Sequence, residues 1–341
     1  MPGGSRVALA LGSGGARGYA HIGVIAELEA RGFSLVSVAG SSMGALVGGL
    51  YCGGGLDAYE EWITDLGQLD VMRLLDVSLS KPGGVIKAER IIARVGDILG
   101  DAAIEDLAIP FTAVATDLIS GRSVWFQRGN LVDAIRASIA IPGVITPYQH
   151  DGHLFADGGI LDPLPVAPTA AVISDVTIGV VLDGDGPAEG AARQPTAKGI
   201  IRRNVDPILS SDFVRSMRDR LGLDSSAAPD PDAPDPDALE TDLSAPADDV
   251  DLEAPTSGTD DMTADLVAAT PSMGRIEVLT RSLDIMSIAL TRHQIAGYPP
   301  DILIRVPRKA VRTLDFHKAS EMIELGRTLT AEALDQLPET S

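Results

Sequence analysis

Val7-Ala8-Leu9-Ala10-Leu11-Gly12-Ser13-Gly14-Gly15-Ala16-Arg17-Gly18 is the stretch from which the fold can be read. Five consecutive apolar residues run into glycine, as a short strand buried on both faces does. From Tyr19 to Arg31 the spacing changes. Ile22, Ile25, Ala26 and Leu28 are apolar while Glu27, Glu29 and Arg31 are polar, the pattern of a helix that Gly32 ends. Leu35–Ala39 repeats the strand and Met43–Tyr51 the helix. The order strand, glycine loop, helix, strand, turn, helix predicts a parallel α/β sheet.

Working outward, Ala88–Leu99 and Leu131–Ile139 read as helices. Phe111–Leu118 and Ser123–Phe126 read as strands about a turn at Ser120-Gly121. Leu154–Ala156 is a short strand before a glycine pair, and Thr177–Leu182 a buried strand. Near the end, Arg275–Ala296 is a long amphipathic helix, Ile302–Val306 a strand and Ala319–Leu334 a final helix.

The chain has 341 residues and a formal charge of −21, unevenly spread. Leu221 to Gly274 holds 14 acidic residues, no basic residue and seven prolines in 54 positions, leaving −7 for the other 287 residues. Proline removes backbone donors, like charges repel, and too few large apolar side chains offset the ordering entropy. Residues 222–270 are therefore expected to be disordered, and core elements after them make the stretch an insertion within one fold. An acidic chain is not built to neutralise phosphates, which argues against nucleic acid as a partner. Cys52 stands alone, so no intrachain disulfide forms and a reducing compartment is indicated. Arg6 precedes only five apolar residues, short of the ~7–15 of a secretion signal. The most apolar stretch, Leu164–Leu182, is broken by Pro165, Pro168 and Asp175, so no membrane span is expected. The expected location is cytoplasmic, with peripheral contact at the inner face of the membrane left open.

Three short motifs sit at strand ends. Gly40-Ser41-Ser42-Met43-Gly44 is a G-x-S-x-G between strand and helix, the setting of a nucleophile elbow. Ser42 then carries the exposed hydroxyl of a sharp turn, and the helix N-terminus beside it favours developing negative charge. The loop Gly12–Gly18 joins the first strand to the first helix. Its consecutive glycines let backbone N–H groups approach a ligand, which fits an oxyanion hole or a phosphate cradle. The dinucleotide fingerprint G-x-G-x-x-G fails, since the sixth position from Gly12 is Arg17 and no acidic residue closes the second strand. Asp157-Gly158-Gly159 follows a short strand; by itself it reads as a turn-forming aspartate or as a base.

As a set these motifs resemble the patatin-like phospholipases. The likeness continues through Ile22-Gly23-Val24, Ala115-Thr116-Asp117-Leu118 with Gly121-Arg122, Ile135-Arg136-Ala137-Ser138-Ile139-Ala140-Ile141-Pro142-Gly143 and Asp162-Pro163-Leu164-Pro165-Val166. Pro299-Pro300-Asp301-Ile302-Leu303-Ile304 and Leu314-Asp315-Phe316-His317 resemble the bacterial RssA-like branch, which is related to neuropathy target esterase.

The resemblance implies a three-layer α/β/α patatin-like fold with a mainly parallel central sheet. It divides the chain into a catalytic core at 7–184, a helical extension at 185–221, the acidic insertion at 222–270 and C-terminal helices and strand at 271–338. It implies a Ser42–Asp157 dyad without histidine, an oxyanion loop of Gly14, Gly15, Arg17 and Gly18, and an elbow formed by Gly40, Met43 and Gly44. Ser13 interrupts the family's usual glycine run, and Asp162 stands where asparagine is frequent. The implied activity is hydrolysis of a lipid or lysophospholipid ester through an acyl-enzyme, in lipid catabolism or membrane lipid turnover, with transient contact with a membrane surface. The alternative is a regulatory or scaffolding protein that uses 222–270 to hold a protein partner.

A free aspartate titrates near ~3.9, too low for a good base at neutral pH, so burial is expected to raise Asp157. His293 or His317 would satisfy the order of a Ser-Asp-His triad, but the glycine loop precedes the first helix instead of following a third strand. His21, His150 and His153 complete the histidines. No Cys/His cluster has metal spacing, and neither metal nor cofactor is expected. Arg17 is expected to steady the glycine loop, with a surface ion pair as the plainer role. Arg275–Ala296 is expected to turn its apolar face to the core instead of to a bilayer.

Overall fold

β1 (Arg6–Leu11) lies at the centre of an eight-stranded sheet. In the computed structural model, which describes residues 4–74, 89–184, 275–313 and 315–336, it pairs in parallel with β2 (Ser34–Ser41) on one side and β7 (Val176–Gly184) on the other. β2 continues in parallel to β3 (Phe111–Asp117), and β7 to β8 (Ile302–Pro307). Beyond β3 the direction reverses. β4 (Arg122–Phe126) and β6 (His153–Asp157) are antiparallel to β3, and β5 (Tyr148–His150) to β6. The strand order is β5-β6-β3-β2-β1-β7-β8, with β4 attached to β3. The sheet is thus mainly parallel, with an antiparallel edge.

Alternation along β1 distributes the two flanking layers. Val7, Leu9 and Leu11 join a large core with α1 (Ala20–Ala30), α2 (Met43–Cys52) and α8 (Ala319–Asp335). Ala10 faces the other side, against Leu164, Val166 and Ile295 of α7 (Arg275–Gly297). A strand apolar at every position from Val7 to Leu11 is what a sheet covered on both faces requires. The layers make a three-layer α/β/α fold. α3 (Leu56–Thr64), α4 (Gln68–Leu74), α5 (Glu89–Leu99) and α6 (Leu131–Ser138) lie between β2 and β5 in the chain.

Several expectations shift in detail. The first helix is preceded by a 3-10 turn, Gly15–Tyr19, wholly buried. β2 runs two residues further than its apolar pattern, because Gly40 and Ser41 pair with Ala113 and Val114 of β3. Only Ser42 therefore makes the turn. α7 turns Thr291 and Ile295 to the fold but leaves Val278, Ile285 and Met286 in solvent, so the core-facing expectation holds for one of its sides. α3, α4 and β5 have no counterpart in the sequence pattern; β5 has only three residues, too few for alternation to register. The expected helical extension at 185–221 and the acidic stretch at 222–270 lie outside the described residues.

Candidate functional site

Register brings the two distant motifs together. β4 covers one edge of β3 over Ala113–Asp117. The other edge is shared end to end by β2, where Ser41 pairs with Val114, and by β6, where Asp157 pairs with Ala115. The C-terminal ends of β2 and β6 thus abut, and the residues that follow meet at one point of the sheet.

Ser42 occupies φ 56°, ψ −121°, a left-handed conformation uncommon for a residue with a Cβ. The turn is over-determined by its surroundings. A Cβ on Gly40 would collide with the backbone of Gly44, and one on Gly44 with the carbonyl of Leu11, so both positions require glycine. The Ser42 N–H donates to Ser138 Oγ at 2.9 Å, and Ser138 Oγ in turn donates to the Val114 carbonyl at 2.6 Å. The Ser42 carbonyl accepts the first bonds of α2, from Ala45 and Leu46. Strain at a serine, held by a buried side chain from α6, marks a position shaped for something other than packing.

The Ser42 hydroxyl donates to Asp157 Oδ2 at 2.5 Å. Both residues are buried, Ser42 at 2% and Asp157 at 6% exposure. Asp157 is fixed from every side: its Oδ1 accepts from Gly159 N–H at 2.7 Å, its carbonyl from Thr116 Oγ1 at 3.0 Å, and its N–H donates to the Ala140 carbonyl. Burial pushes its carboxyl up to about 6, against the two hydrogen bonds, which favour the ionised form. A carboxylate so placed is basic enough near neutral pH to take a proton from the hydroxyl it touches.

The glycine loop supplies donors. The N–H groups of Gly12, Ser13 and Ala16 are satisfied by the carbonyls of Val180, Pro163 and Thr313. Those of Gly14 and Gly15 have no acceptor among the described residues, and both glycines line the cleft that contains Ser42 and Asp157. Gly18 contributes space instead of a donor. A Cβ there would strike Met43, so glycine lets the loop close over the elbow. Arg17 is buried, lines the same cleft, and its Nη1 donates to the Arg308 carbonyl at 3.3 Å. Its guanidinium also acts electrostatically on Asp284 of α7, favouring the ionised carboxylate there. Across the cleft, Arg308 Nη2 donates to Asp284 Oδ2 of α7 at 3.0 Å.

No histidine lines this cleft among the described residues. His21 lies beneath the glycine loop with Nε2 2.8 Å from the Gly12 carbonyl, and burial pushes it down to about 4, so it is neutral. His153 Nδ1 is 3.0 Å from Asp117 Oδ2, and His150 stacks on Tyr148. His293 is exposed on α7 and His317 belongs to the turn Phe316–Lys318. No group of three or more His, Cys, Asp or Glu among the described residues could hold a metal ion. Asp162 accepts from Gln294 Nε2 at 2.9 Å, and burial raises its carboxyl to about 6.

The sequence did not single out Ser138, Thr116, Arg308 or Gln294. Ser138 and Thr116 fall in the runs that carry the family likeness, but their partners lie 96 and 41 residues away, so no local pattern assigns them a role.

Residues 9–170 match the profile of the patatin-like phospholipase family. An uncharacterized NTE family protein of Mycobacterium tuberculosis is 49% identical over 334 residues, covering 97% of this chain and 91% of the relative. Neuropathy target esterase of Drosophila virilis is 32% identical over 169 residues, 48% of this chain and 11% of that protein. The solved structure of VipD from Legionella pneumophila overlaps with a TM-score of 0.34 at 16% identity, covering 55% of this chain and 52% of that one.

Proposed function

The chain belongs to the patatin-like, NTE-related family, and from that premise we propose that it hydrolyses lipid carboxylic esters through Ser42 and Asp157, as a phospholipase A or lysophospholipase type of serine esterase. One observation carries the reading: the hydroxyl of a conformationally strained serine donates at 2.5 Å to a buried carboxyl whose pKa is raised to about 6.

The chemistry follows from the positions. Asp157 takes the proton as Ser42 Oγ bonds to the ester carbonyl carbon. The negative charge that develops on the carbonyl oxygen meets the N–H groups of Gly14 and Gly15, beside the N-terminus of α2. A single such donor is worth ~2.7–4 kcal/mol of transition-state stabilisation. As the C–O bond to the leaving group breaks, Asp157 returns the proton to the departing alkoxide, leaving acyl-Ser42. Water enters from the cleft, gives a proton to Asp157 and bonds to the acyl carbon. The Ser42–acyl bond then breaks, Ser42 takes the proton back and the fatty acid departs. Histidine has no part in this cycle.

The substrate is held at a lipid surface, from which one ester at a time enters the cleft. Among the described residues no helix is long and apolar enough to cross a membrane. The test is covalent labelling by an alkyl fluorophosphonate. Wild-type protein is labelled and hydrolyses lysophospholipid, whereas Ser42→Ala, still folded by circular dichroism, does neither. Undiminished labelling of Ser42→Ala overturns the proposal.

A further inference from the structure

His21 is a buried titratable group that the ester chemistry leaves without a task. It stands in the first turn of α1 with no exposed surface, and its Nε2 is 2.8 Å from the Gly12 carbonyl. A carbonyl oxygen only accepts, so in the neutral ring Nε2 carries the proton and Nδ1 does not. Nδ1 is buried with no hydrogen-bond partner among the described residues. Core packing does not explain such a side chain. An apolar group of similar size would fill the space without burying an unpaired nitrogen. What the imidazole adds is a bond to one particular peptide.

The place of that peptide in the loop gives the bond its meaning. A peptide unit is planar, so the carbonyl of one residue and the N–H of the next turn together. The peptide between Gly12 and Ser13 is held at both ends. Its N–H donates to the Pro163 carbonyl at 2.9 Å and its carbonyl accepts from His21. The next two peptides carry the N–H groups of Gly14 and Gly15, which have no acceptor among the described residues. The peptide between Gly15 and Ala16 is fixed again, its N–H donating to the Thr313 carbonyl at 2.9 Å. Two free peptides thus hang between two fixed ones. Glycine restrains its own torsions least, so the direction of the free N–H groups is inherited from the fixed neighbours. Pro163 and Thr313 hold through main-chain carbonyls. His21 is the anchor that a side chain supplies.

We infer that His21 is a positioning residue of the oxyanion site: by holding the Gly12 carbonyl it sets the plane of the peptide before the Gly14 donor, and so aims the Gly14 N–H. It touches no substrate atom and moves no proton. The inference rests on the reading of Gly14 and Gly15 as oxyanion donors to the Ser42 reaction. Donors act strongly on a developing oxyanion because they are aimed beforehand and need no reorganisation as the charge appears. A flat, neutral ring suits the task. It reaches from α1 to a carbonyl nine residues back without bringing a charge into the core.

The experiment compares three substitutions. His21→Leu keeps the bulk and removes the donor. His21→Gln places a neutral N–H near the position of Nε2. His21→Asn carries the same amide on a shorter stem, near the position of Nδ1, where it falls short of the Gly12 carbonyl. With lysophospholipid, His21→Leu and His21→Asn should lower kcat by about 10–100-fold with KM within about twofold, and His21→Gln should recover kcat to within about fivefold of wild type. The acid limb of kcat/KM should stay near pH 6 in all three, because the Ser42–Asp157 bond is not disturbed. Two readouts do not depend on catalysis. Nitrogen-15 NMR of the wild type should show the His21 proton on Nε2 from pH 5.5 to 8. The Ser13 amide should exchange with solvent about tenfold faster in His21→Asn than in His21→Gln. Unchanged kcat in His21→Leu, equal losses in the Gln and Asn variants, a displaced acid limb or a proton on Nδ1 overturns the assignment. Should His21→Leu fail to fold, the contrast between Gln and Asn decides. Absence of turnover in wild type, with both NMR results as expected, instead sinks the hydrolase reading and leaves His21 as the anchor of the loop.

Discussion

Two aspartates on neighbouring strands answer the same sheet differently. Asp117 ends β3 and Asp157 ends β6, only two ladder positions apart, and both side chains are screened from solvent. Asp157 is raised to about 6 by burial, which outweighs the Ser42 hydroxyl and the Gly159 N–H. Asp117 is held well below the usual carboxylate range by Ser120, His153 and the N–H of Ile119. Depth separates them. Asp117 lies under one layer of polar side chains, of which His153 is itself 55% exposed, so its charge keeps donors and nearby water. Asp157 lies beneath the glycine loop, where its two donors replace water incompletely. The lesson is that a count of hydrogen bonds does not rank carboxylates as bases; the loss of water around them does.

The comparison can be broken by removing each charge in turn. Asp157→Asn keeps the shape and the Gly159 contact but cannot take a proton, so ester turnover should fall by about 10³-fold or more. The same substitution should stabilise the protein at pH 8. The native state of wild type binds this proton more tightly than the unfolded chain, so stability falls as pH rises from about 4 to about 6, and the full cost stands above that window. Thermal melts should show Tm rising by about 3 °C or more in Asp157→Asn at pH 8. A fall in Tm there would show that the buried charge is stabilising. Asp162, also raised to about 6, has the same sign, so the difference between wild type and Asp157→Asn isolates the one carboxyl.

A smaller loss is expected from the support of the turn. Ser138→Ala leaves the Ser42 N–H buried without a partner, at a cost of ~1–3 kcal/mol. Turnover should drop by about 10–100-fold with KM little changed, and labelling by fluorophosphonate should slow in proportion. Equal effects on KM and kcat would point to general loosening instead of a displaced nucleophile.

The pH profile sharpens the contrast within one protein. kcat/KM should fall about tenfold per pH unit below about 6, as Asp157 gains its proton, and should show no second acidic step from Asp117. The smallest effects belong to the other aspartate and to the two late histidines. Asp117→Asn removes a carboxylate stabilised above its unfolded pKa, a contribution lost as pH falls. Its Tm at pH 7 should drop while turnover stays within about twofold of wild type. His293→Ala and His317→Ala should also keep turnover within about twofold in a lysophospholipid assay, since neither side chain lines the cleft. A dead histidine variant with an intact fold would restore a triad.

Much of this was legible in the chain. The apolar run Val7–Leu11, the change to helical spacing after Tyr19 and the repeat at Leu35–Tyr51 gave the sheet and its parallel core, because periodicity is written over a few residues. Gly40 and Gly44 flag the elbow for the same reason: the collisions they avoid are with the turn itself and with the neighbouring strand. Asp157 was ambiguous, since Asp-Gly makes ordinary turns, and only family likeness raised it above one.

The sequence by itself determined the order of the strands and helices other than α3, α4 and β5, the serine at a strand–helix turn, the donor-rich glycine loop and the concentration of charge in 222–270. These depend on local conformational preference and composition. Tertiary structure decided that β6 takes over the β3 edge where β2 leaves it, which sets Ser42 against a carboxylate 115 residues away. It also decided that the Asp157 carboxyl is raised and the Asp117 carboxyl lowered, that Ser138 holds the turn, and that Ile91 and Phe316 line an apolar cavity. The physical reason is that solvation and contact belong to the packed core as a whole. A residue's neighbours across the sheet, and the water it loses to them, have no signature in the residues beside it in sequence.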